Sequence, residues 1–301
     1  MKKVLLSILV ILMIALLWYL FLKPSDYTIR FEAKTFPGAI NQTIKLWDQT
    51  LDTINPVSQE GNNIYHLTQR VKFGDSIHIY DWEIEATTDS TSNVKVNISD
   101  ENHSLSNKIK VPFSDTDFEK RSRKTVLDFM ENLNDHTNKF KVTIVGEEDL
   151  PTKYLAYIPL KVTQFQKAGG MMKNLNFITH ILLQNEVQLD GPPMVQVTKW
   201  NMEKDSIDYN FGQPIIRSES LPMNTEIKYR RVFSKKALKA EYNGNYITSD
   251  RAWYALLDYA KANNIEVEPT PVEIFYNNPN FGGNALQWKA EIYMPIKESN
   301  E

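Results

Sequence analysis

The longest uninterrupted apolar run of the chain lies at its N-terminus. From Val4 to Leu22 no charge occurs, and Ser7 is the only small polar side chain. A helix of this length spans roughly 28 Å at about 1.5 Å per residue, close to the ~30 Å hydrocarbon core of a bilayer. Trp18 and Tyr19 lie toward one end, where interface aromatics are common. The pattern predicts a transmembrane helix within residues 1–25.

The residues after this run distinguish a retained anchor from a cleaved signal peptide. A signal peptide has an apolar region of about 7–15 residues, followed by small residues at the cleavage site. Here the run is longer, and Lys23 and Pro24 follow it. The sequence therefore favours a retained signal anchor.

The charges beside the anchor predict its orientation. Lys2, Lys3 and the N-terminal amine outnumber Lys23 in the nearest flank, so the positive-inside rule places the N-terminus in the cytoplasm. Arg30 and Lys34 reduce this difference. We expect a single-pass protein whose soluble part faces the periplasm or the cell exterior.

Residues 26–138 have the pattern of an α+β domain. Residues 27–35 alternate like a strand, and Pro37–Leu51 carries a helical apolar stripe. Ser114 and Asp115 begin a predicted helix that runs to about Asn134. Between the two helices lie four β-like runs, Tyr65–Phe73, Ser76–Thr87, Asn93–Ser99 and Lys108–Phe113. The order predicts an antiparallel sheet with a long C-terminal helix across it.

Past Asn138 one pattern occurs twice, in copies at about 150–216 and 228–298. Each copy has a strand, a helix and two further strands. Several apolar or proline positions match at an offset of 78 residues: Val187 with Ile265, Leu189 with Val267, Pro193 with Pro271 and Val197 with Phe275. Pro214-Ile215 matches Pro295-Ile296 at an offset of 81. Because repeats define the architecture, we expect a duplicated β-α-β-β domain with a cleft between the copies.

Composition excludes several classes of function. Residues 26–301 carry 31 basic and 37 acidic residues, a formal charge of −6, without any Lys/Arg block, so nucleic acid is not an expected partner. The chain has no cysteine, which excludes thiol catalysis, iron–sulfur clusters and disulfides. The five histidines lack metal-ligand spacing, and phosphate-binding glycine motifs and G-x-S-x-G are absent from the sequence. We expect no cofactor and no metal, and we interpret Glu147-Glu148-Asp149 as a solvated linker.

Segments of the second half carry a recognisable family pattern. In the second copy they are Lys239–Tyr246, which ends in a G-x-Y turn, the helix with Ala252-Trp253 and Leu256-Leu257, Pro271–Phe275 and Glu291–Ile296; in the first copy they are Tyr154–Tyr157 and Leu189–Pro193. This half, about residues 140–298, resembles the GyrI-like domain, the gyrase-inhibitor-like or bacterial effector-binding domain that is also fused to AraC-type and MerR-type regulators. The resemblance implies a small-molecule-binding cleft.

The first half is similar, by its order of elements, to the START-like (SRPBCC, helix-grip) family. In that family a curved sheet and a long helix enclose an apolar cavity. Membrane-anchored chains that join these two domains are a bacterial arrangement. The resemblance implies an anchor at 1–25, a START-like domain at 26–138 and a GyrI-like domain at 139–301, in the bacterial inner (cytoplasmic) membrane.

Glu273 is the carboxylate that the GyrI-like resemblance places in the cleft. It lies between Val272 and Ile274 and shares a strand face with Phe275. A carboxylate among apolar groups needs a partner or a proton, and a cationic amphipathic ligand would be such a partner. The alternative is that Glu273 reaches solvent at a strand edge or pairs with a nearby Lys. The family often has Tyr two residues after this Glu, where this chain has Phe275.

Aromatic residues of both copies are further candidates for the cleft. They are Tyr242, Tyr246, Trp253, Trp288 and Tyr293 from the second copy and Trp200 from the first. Such rings stack on flat or cationic groups, although aromatics at these spacings also form ordinary cores. Trp288 and Tyr293 fall on opposite faces of a regular strand, so both cannot line one pocket without a bulge.

These observations lead to one main functional interpretation and two alternatives. The main one is a membrane-anchored protein whose GyrI-like cleft binds a hydrophobic small molecule, in one version a cationic one. The first alternative is a hydrolase of electrophilic small molecules, with Glu273 as general acid/base, its pKa raised by burial, and Tyr242 or Tyr246 as proton donor. The second alternative is an envelope protein-interaction scaffold. The sequence favours a binding protein over an enzyme.

Overall fold

The computed structural model describes residues 2–298. Met1 and residues 299–301, at the ends of the predicted segments 1–25 and 139–301, lie outside the described residues. The chain divides into two compact units between Asp135 and His136, close to the predicted boundary after residue 138. Each unit contains one antiparallel sheet with its helices, which confirms the predicted α+β class.

An apolar helix opens the N-terminal unit. Helix α1 spans Lys2–Leu17 and continues as a π-helical turn over Trp18–Leu22. The 20 residues Lys3–Leu22 form a continuous helix that is long and apolar enough to cross a membrane. Tyr19 and Leu20 are half-buried, whereas the apolar side chains before them are exposed.

The N-terminal unit contains a five-stranded sheet with order β1-β5-β4-β3-β2. Its strands are β1 (Tyr27–Ala33), β2 (Ser58–Gln59), β3 (His66–Phe73), β4 (Ser76–Thr88) and β5 (Thr91–Asp100). Its other helices are α2 (Pro37–Asp48), α3 (Ser104–Lys110) and α4 (Asp117–Thr137). Pro37 is the first residue of α2, where its missing N–H costs nothing.

Alternation along the strands builds the core of this unit. Tyr80 and Trp82, two residues apart on β4, are fully buried. Phe129 of α4 packs against Trp82 with ring centroids 4.8 Å apart, and against Trp47 of α2 at 5.4 Å. These rings occupy the space between the sheet and α4.

The predicted strand at Lys108–Phe113 is wrong, because α3 and a turn occupy these positions. Upstream, the Asp100 carboxylate accepts hydrogen bonds from the backbone N–H groups of Asn102 and His103, both at 3.0 Å. These bonds fix the turn that leads into α3, although α3 itself has no side-chain N-cap. Residues 108–113 alternate like a strand, and their local pattern does not show the turn that Asp100 stabilises before α3.

The C-terminal unit contains an eight-stranded sheet with order β10-β7-β9-β8-β12-β13-β11-β6. Its strands are β6 (Phe140–Asp149), β7 (Lys153–Thr163), β8 (Met194–Asn201), β9 (Ser206–Ile215), β10 (Lys228–Val232), β11 (Lys236–Gly244), β12 (Val272–Phe275) and β13 (Lys289–Pro295). Its helices are α5 (Lys167–Gln184), which follows a 3₁₀ turn at Gln164–Gln166, and α6 (Arg251–Ala262).

The acidic segment interpreted as a linker is instead the end of edge strand β6. Glu147 and Glu148 pair with Leu238 and Ala237 of β11. The Glu148 carboxylate also forms an ion pair with Lys239, at 2.9 Å. Charged side chains on an edge strand keep it soluble, so an acidic run is compatible with β-structure at that position.

Positions matched by the sequence offset share local geometry in this unit. Glu186 and Asn264, 78 residues apart, both have left-handed backbone, with φ of 56° and 55°, just after α5 and α6. Isolated bridges join Leu189 to Ile215 and Val267 to Ile296. The strand order is symmetric about the β8–β12 pair: β9 and then β7 lie outward from β8, and β13 and then β11 lie outward from β12.

His78 of β4 is fully buried in the N-terminal unit. Its ring lies 4.6 Å from that of Phe73 and 4.9 Å from that of Phe118. Burial among these groups lowers the pKa of His78 to about 4. The folded unit therefore holds a neutral imidazole at pH values where an unfolded chain takes up a proton.

We expect the free energy of unfolding to fall as the pH drops from about 6.5 to about 4, by up to about 3 kcal/mol from this group. The unfolded state binds more protons than the folded state in this window, so stability rises with pH. Urea unfolding of the detergent-solubilised chain at several pH values measures the effect. His78→Phe should flatten the dependence, whereas His180→Phe, at an exposed position, should retain it. Equal slopes for wild type and His78→Phe would contradict the assignment.

Candidate ligand-binding site

Glu273 lies at the middle of the eight-stranded sheet and is fully buried. On β12 it pairs with Val195 of β8 on one side and with Ile292 of β13 on the other. A central strand leaves no solvent-facing edge at this position. The carboxylate must therefore find its partners within the protein.

Three side chains donate to the Glu273 carboxylate. The Lys167 ammonium lies 2.5 Å from Oε2, the Ser249 hydroxyl 2.7 Å from Oε1 and the Trp253 indole N–H 3.1 Å from Oε1. Lys167 also donates to the Ser249 hydroxyl, at 2.7 Å. The result is a closed polar cluster in which a buried negative charge meets a buried positive charge.

Lys167 occupies a position that is electrostatically unfavourable on its own. It is the first residue of α5 and is fully buried, and the positive end of a helix dipole disfavours a cation there. The Glu273 carboxylate offsets this repulsion. The ammonium also lies 4.5 Å from the centre of the Trp253 ring, within the range of a cation–π contact.

The start of α5 is positioned by its neighbours on the chain and on the sheet. Thr163 and Gln166 form a capping box around the preceding 3₁₀ turn. The Tyr209 hydroxyl of β9 donates to the carbonyl of Lys167, at 3.1 Å. Gly170 permits this approach, since a Cβ there would collide with the Tyr209 hydroxyl. Lys167 is therefore held in place by local structure on both sides.

Lys167 was not among the predicted site residues. One signal was available, because a lysine in the first turn of a predicted helix opposes the helix dipole and calls for an anionic partner. Pairing with a nearby Lys was an alternative for Glu273, and the structure has that arrangement. The ammonium that meets this carboxylate comes from the first half of the unit.

A cavity of about 460 Å³ lies beside this cluster. Part of its wall is a helical stripe of α5 at i, i+3, i+4 and i+7: Ala168, Met171, Met172 and Leu175. The rest is formed by Pro192, Pro193, Phe211, Asn245, Tyr246, Ile247, Phe275, Tyr276, Asn277, Asn278, Pro279, Asn280 and Trp288. None of these lining residues carries a formal charge, and asparagines supply most of the polar groups.

Tyr246 orders the aromatic side of the cavity. Its ring lies 4.7 Å from that of Phe275 and 5.8 Å from that of Trp288. Its hydroxyl donates to the carbonyl of Lys289 at 2.8 Å and accepts from the N–H of Asn277 at 3.1 Å. Burial raises the pKa of Tyr246 to about 12, so this phenol stays neutral in the cavity wall. Its O–H group is already engaged in the hydrogen bond to Lys289.

The eight predicted ligand-binding residues fall into three groups. Phe275, Tyr246 and Trp288 line the cavity. Glu273 and Trp253 form the buried cluster behind it and are outside the lining. Tyr242, Tyr293 and Trp200 are also outside the lining, although the Trp200 ring packs edge-on against Trp253, with centroids 5.2 Å apart.

The third group makes contacts of its own. The Tyr242 hydroxyl donates to the carbonyl of Asn245 at 2.9 Å. The Tyr293 hydroxyl donates to the Glu291 carboxylate at 3.0 Å, and the Trp200 indole N–H to Gln164 at 2.7 Å. Trp288 precedes β13 and Tyr293 lies within it, which is how the two come to face different surroundings.

The cavity residues from the first copy were not predicted. Phe211 and the α5 stripe come from the first half of the unit, which contributed only Trp200 to the predicted site. Their spacing of i, i+3, i+4 and i+7 was the available signal. Among residues 2–298, no group of three or more His, Asp or Glu side chains is placed to hold a metal ion.

Several solved structures are distantly similar to part of this chain. The EcmrR C-terminal domain is 13% identical, with a TM-score of 0.44, and the match covers 53% of this chain and 99% of that one. SAV2435 bound to tetraphenylphosphonium is 14% identical, with a TM-score of 0.35, covering 52% and 93%. A hydrolase from Listeria innocua is 11% identical, with a TM-score of 0.32, covering 53% and 92%. At these values none of them bears on what this chain binds.

No curated protein matches the chain. The GyrI-like small molecule binding domain, by contrast, matches residues 145–297, from β6 to the residues after β13. This match covers half of the sequence and confirms the GyrI-like part of the predicted resemblance. The chain therefore belongs to the GyrI-like family of small-molecule-binding domains.

Proposed function

We propose that this protein is a membrane-anchored receptor for a hydrophobic small molecule, which it binds in the cavity of its GyrI-like domain. The observation that carries the proposal is the cavity itself. Its volume of about 460 Å³ and its apolar, aromatic wall with a few amides are typical of small-molecule sites.

The anchor is the apolar helix at Lys3–Leu22. In the proposed topology it is a retained single-pass signal anchor in the bacterial inner membrane. Lys2 and Lys3 stay in the cytoplasm, and the soluble part faces the periplasm or the cell exterior.

The finer architecture belongs to the same proposal. The elements β7-α5-β8-β9 and β11-α6-β12-β13 are two copies of one unit, supported by the symmetric strand order and the matched left-handed residues. The N-terminal unit is a START-like helix-grip domain, supported by its antiparallel sheet and the long helix α4. Trp82 and Phe129 fill the space between sheet and helix where they meet.

The charge of the ligand follows from the state of Glu273. A cationic ligand that used this carboxylate would have to displace Lys167 and leave its ammonium buried without a partner. Such a loss costs several kcal/mol. An uncharged ligand needs no such exchange, so the contacts favour it over the cationic version.

The contacts also favour binding over hydrolysis. A general acid/base must come within about 2.6–3.2 Å of the proton that it transfers. Glu273 is outside the cavity lining and already holds three donors, and the Tyr242 hydroxyl is outside that lining as well. Tyr246 lines the cavity, but its hydroxyl proton is engaged in a hydrogen bond to the backbone carbonyl of Lys289.

Trp288→Ala should weaken binding of an uncharged aromatic probe, N-phenyl-1-naphthylamine, about tenfold, which corresponds to about 1.4 kcal/mol. The reason is the loss of one aromatic wall of the cavity. Fluorescence titration of the full chain in nanodiscs, corrected for empty nanodiscs, measures the affinity. Trp200→Ala is the matched control, since Trp200 is also half-buried in this unit but outside the lining. Failure of the wild type to bind any uncharged probe would support the scaffold alternative instead.

Lys167→Met and Glu273→Gln should each destabilise the C-terminal unit by about 3–5 kcal/mol, because each leaves a buried group without its partner. The double variant should recover a large part of this loss. Hydrogen exchange of the β12 and β13 amides reports the free energy of opening this unit. Additive losses in the double variant would show that the two charges do not depend on each other.

The cationic version has its own test in tetraphenylphosphonium, a lipophilic cation. We expect wild type and Glu273→Gln to bind it equally weakly by calorimetry in nanodiscs, since the carboxylate is engaged by Lys167. Tight binding by wild type that is lost both in Glu273→Gln and in the more stable double variant with Lys167→Met would establish the cationic version.

A further inference from the structure

Helix α3 exposes apolar side chains that the fold of the N-terminal unit does not cover. Leu105 is 46% exposed and Ile109 is 51% exposed, and the two are one helical turn apart, so they share a face. Phe113, in the turn that follows, is 87% exposed. Asn107, on the opposite face, and Lys108, beside the apolar pair, are buried. A short helix with its apolar face outward requires an explanation outside this unit.

The position of α3 is set by contacts with the end of the apolar N-terminal helix. The Tyr19 hydroxyl donates to the carbonyl of Lys108, at 3.1 Å. The Lys108 ammonium donates to the carbonyls of Lys23, at 2.5 Å, and Leu20, at 3.4 Å. Both contacts hold α3 at the level of residues 19–23.

These contacts suit the C-terminal end of a membrane-spanning helix. The last carbonyls of a helix have no partner within it, and a cation at this end is favoured by the helix dipole. Lys108, which is buried, supplies both the hydrogen bonds and the charge. The ammonium of Lys23 lies 4.9 Å from the centre of the Tyr19 ring, an arrangement typical of the membrane–water boundary.

We infer that α3 lies on the phospholipid bilayer, with Leu105, Ile109 and Phe113 at the boundary between headgroups and acyl chains. The inference rests on the proposal that residues 3–22 span the membrane, because α3 is then fixed at the depth where that span ends. Apolar side chains beside exposed lysines are the composition of interfacial helices. Lys110, which is exposed, and Lys23, which is half-buried, supply the basic groups for lipid phosphates. The N-terminal unit then rests on the bilayer through α3 as well as through its anchor.

The absence of cysteine from the sequence makes this inference directly testable. Single cysteines introduced as Ile109→Cys or Phe113→Cys take one nitroxide label each, in the full chain. Leu127→Cys on α4 is the matched control, because Leu127 is an apolar residue of the same unit with 49% exposure. Ile11→Cys, in the middle of the apolar helix, reports on the anchor itself. The chain is placed in nanodiscs of phosphatidylcholine and phosphatidylglycerol, and collision with oxygen is compared with collision with a water-soluble nickel chelate.

The expected result is an oxygen-to-nickel ratio several-fold higher at positions 109 and 113 than at position 127, with position 11 higher still. A high ratio at position 11 with water-like values at 109 and 113 would overturn the α3 inference and leave the anchor standing. Shielding of 109 and 113 from both reagents would also overturn it, in favour of a protein partner or a second copy. A lipid-like value at 127 would overturn it because the contact would not be specific to α3. A water-like value at position 11 would overturn the anchor and the inference together.

Discussion

The ion pair between Lys167 and Glu273 is the contact on which the C-terminal unit depends. Both side chains are fully buried, and each removes the cost of burying the other. Ser249 and Trp253 complete the coordination of the carboxylate. The pair joins the start of α5 to the middle of β12, and Ser249 joins it to the segment just before α6. One anion thus fixes two helices against the sheet.

The ligand cavity follows from this arrangement. Ala168, next to Lys167, begins the α5 stripe in the cavity wall, and Phe275, two residues after Glu273, lies on the other side. The ammonium of Lys167 lies 5.9 Å from the centre of the Phe275 ring, so this ring contacts both the cluster and the cavity. The charges stay behind the wall, and the wall offers rings, methionines and amides. Recognition in this cavity is therefore a matter of shape and apolar contact more than of charge.

Sequence patterns were sufficient where a local period decided the structure. The apolar helix, the strands β3 to β5 and the series β7-α5-β8-β9 and β11-α6-β12-β13 follow from hydrophobic periodicity and turn residues, whereas β10 was not predicted. The same rule failed at α3, where residues 108–113 alternate like a strand while contacts of Lys108 with the N-terminal helix decide the conformation. It also failed at β6, where acidic residues suggested a linker and pairing with β11 makes a strand. In both places a partner distant in the sequence outweighs the local pattern.

The site was harder to predict than the fold for the same reason. The second copy alone was enough to name Glu273, Phe275, Tyr246 and Trp288. Lys167, however, lies 106 residues before Glu273, the carboxylate with which it pairs. The arrangement also constrains how such a chain can change. A substitution of either charge alone leaves the other stranded in the interior, so the two positions can vary only in step. If the first half of the C-terminal unit were replaced by one that lacks Lys167, Glu273 in the second half would be buried without its partner. The second half would then be destabilised although its own sequence was unchanged.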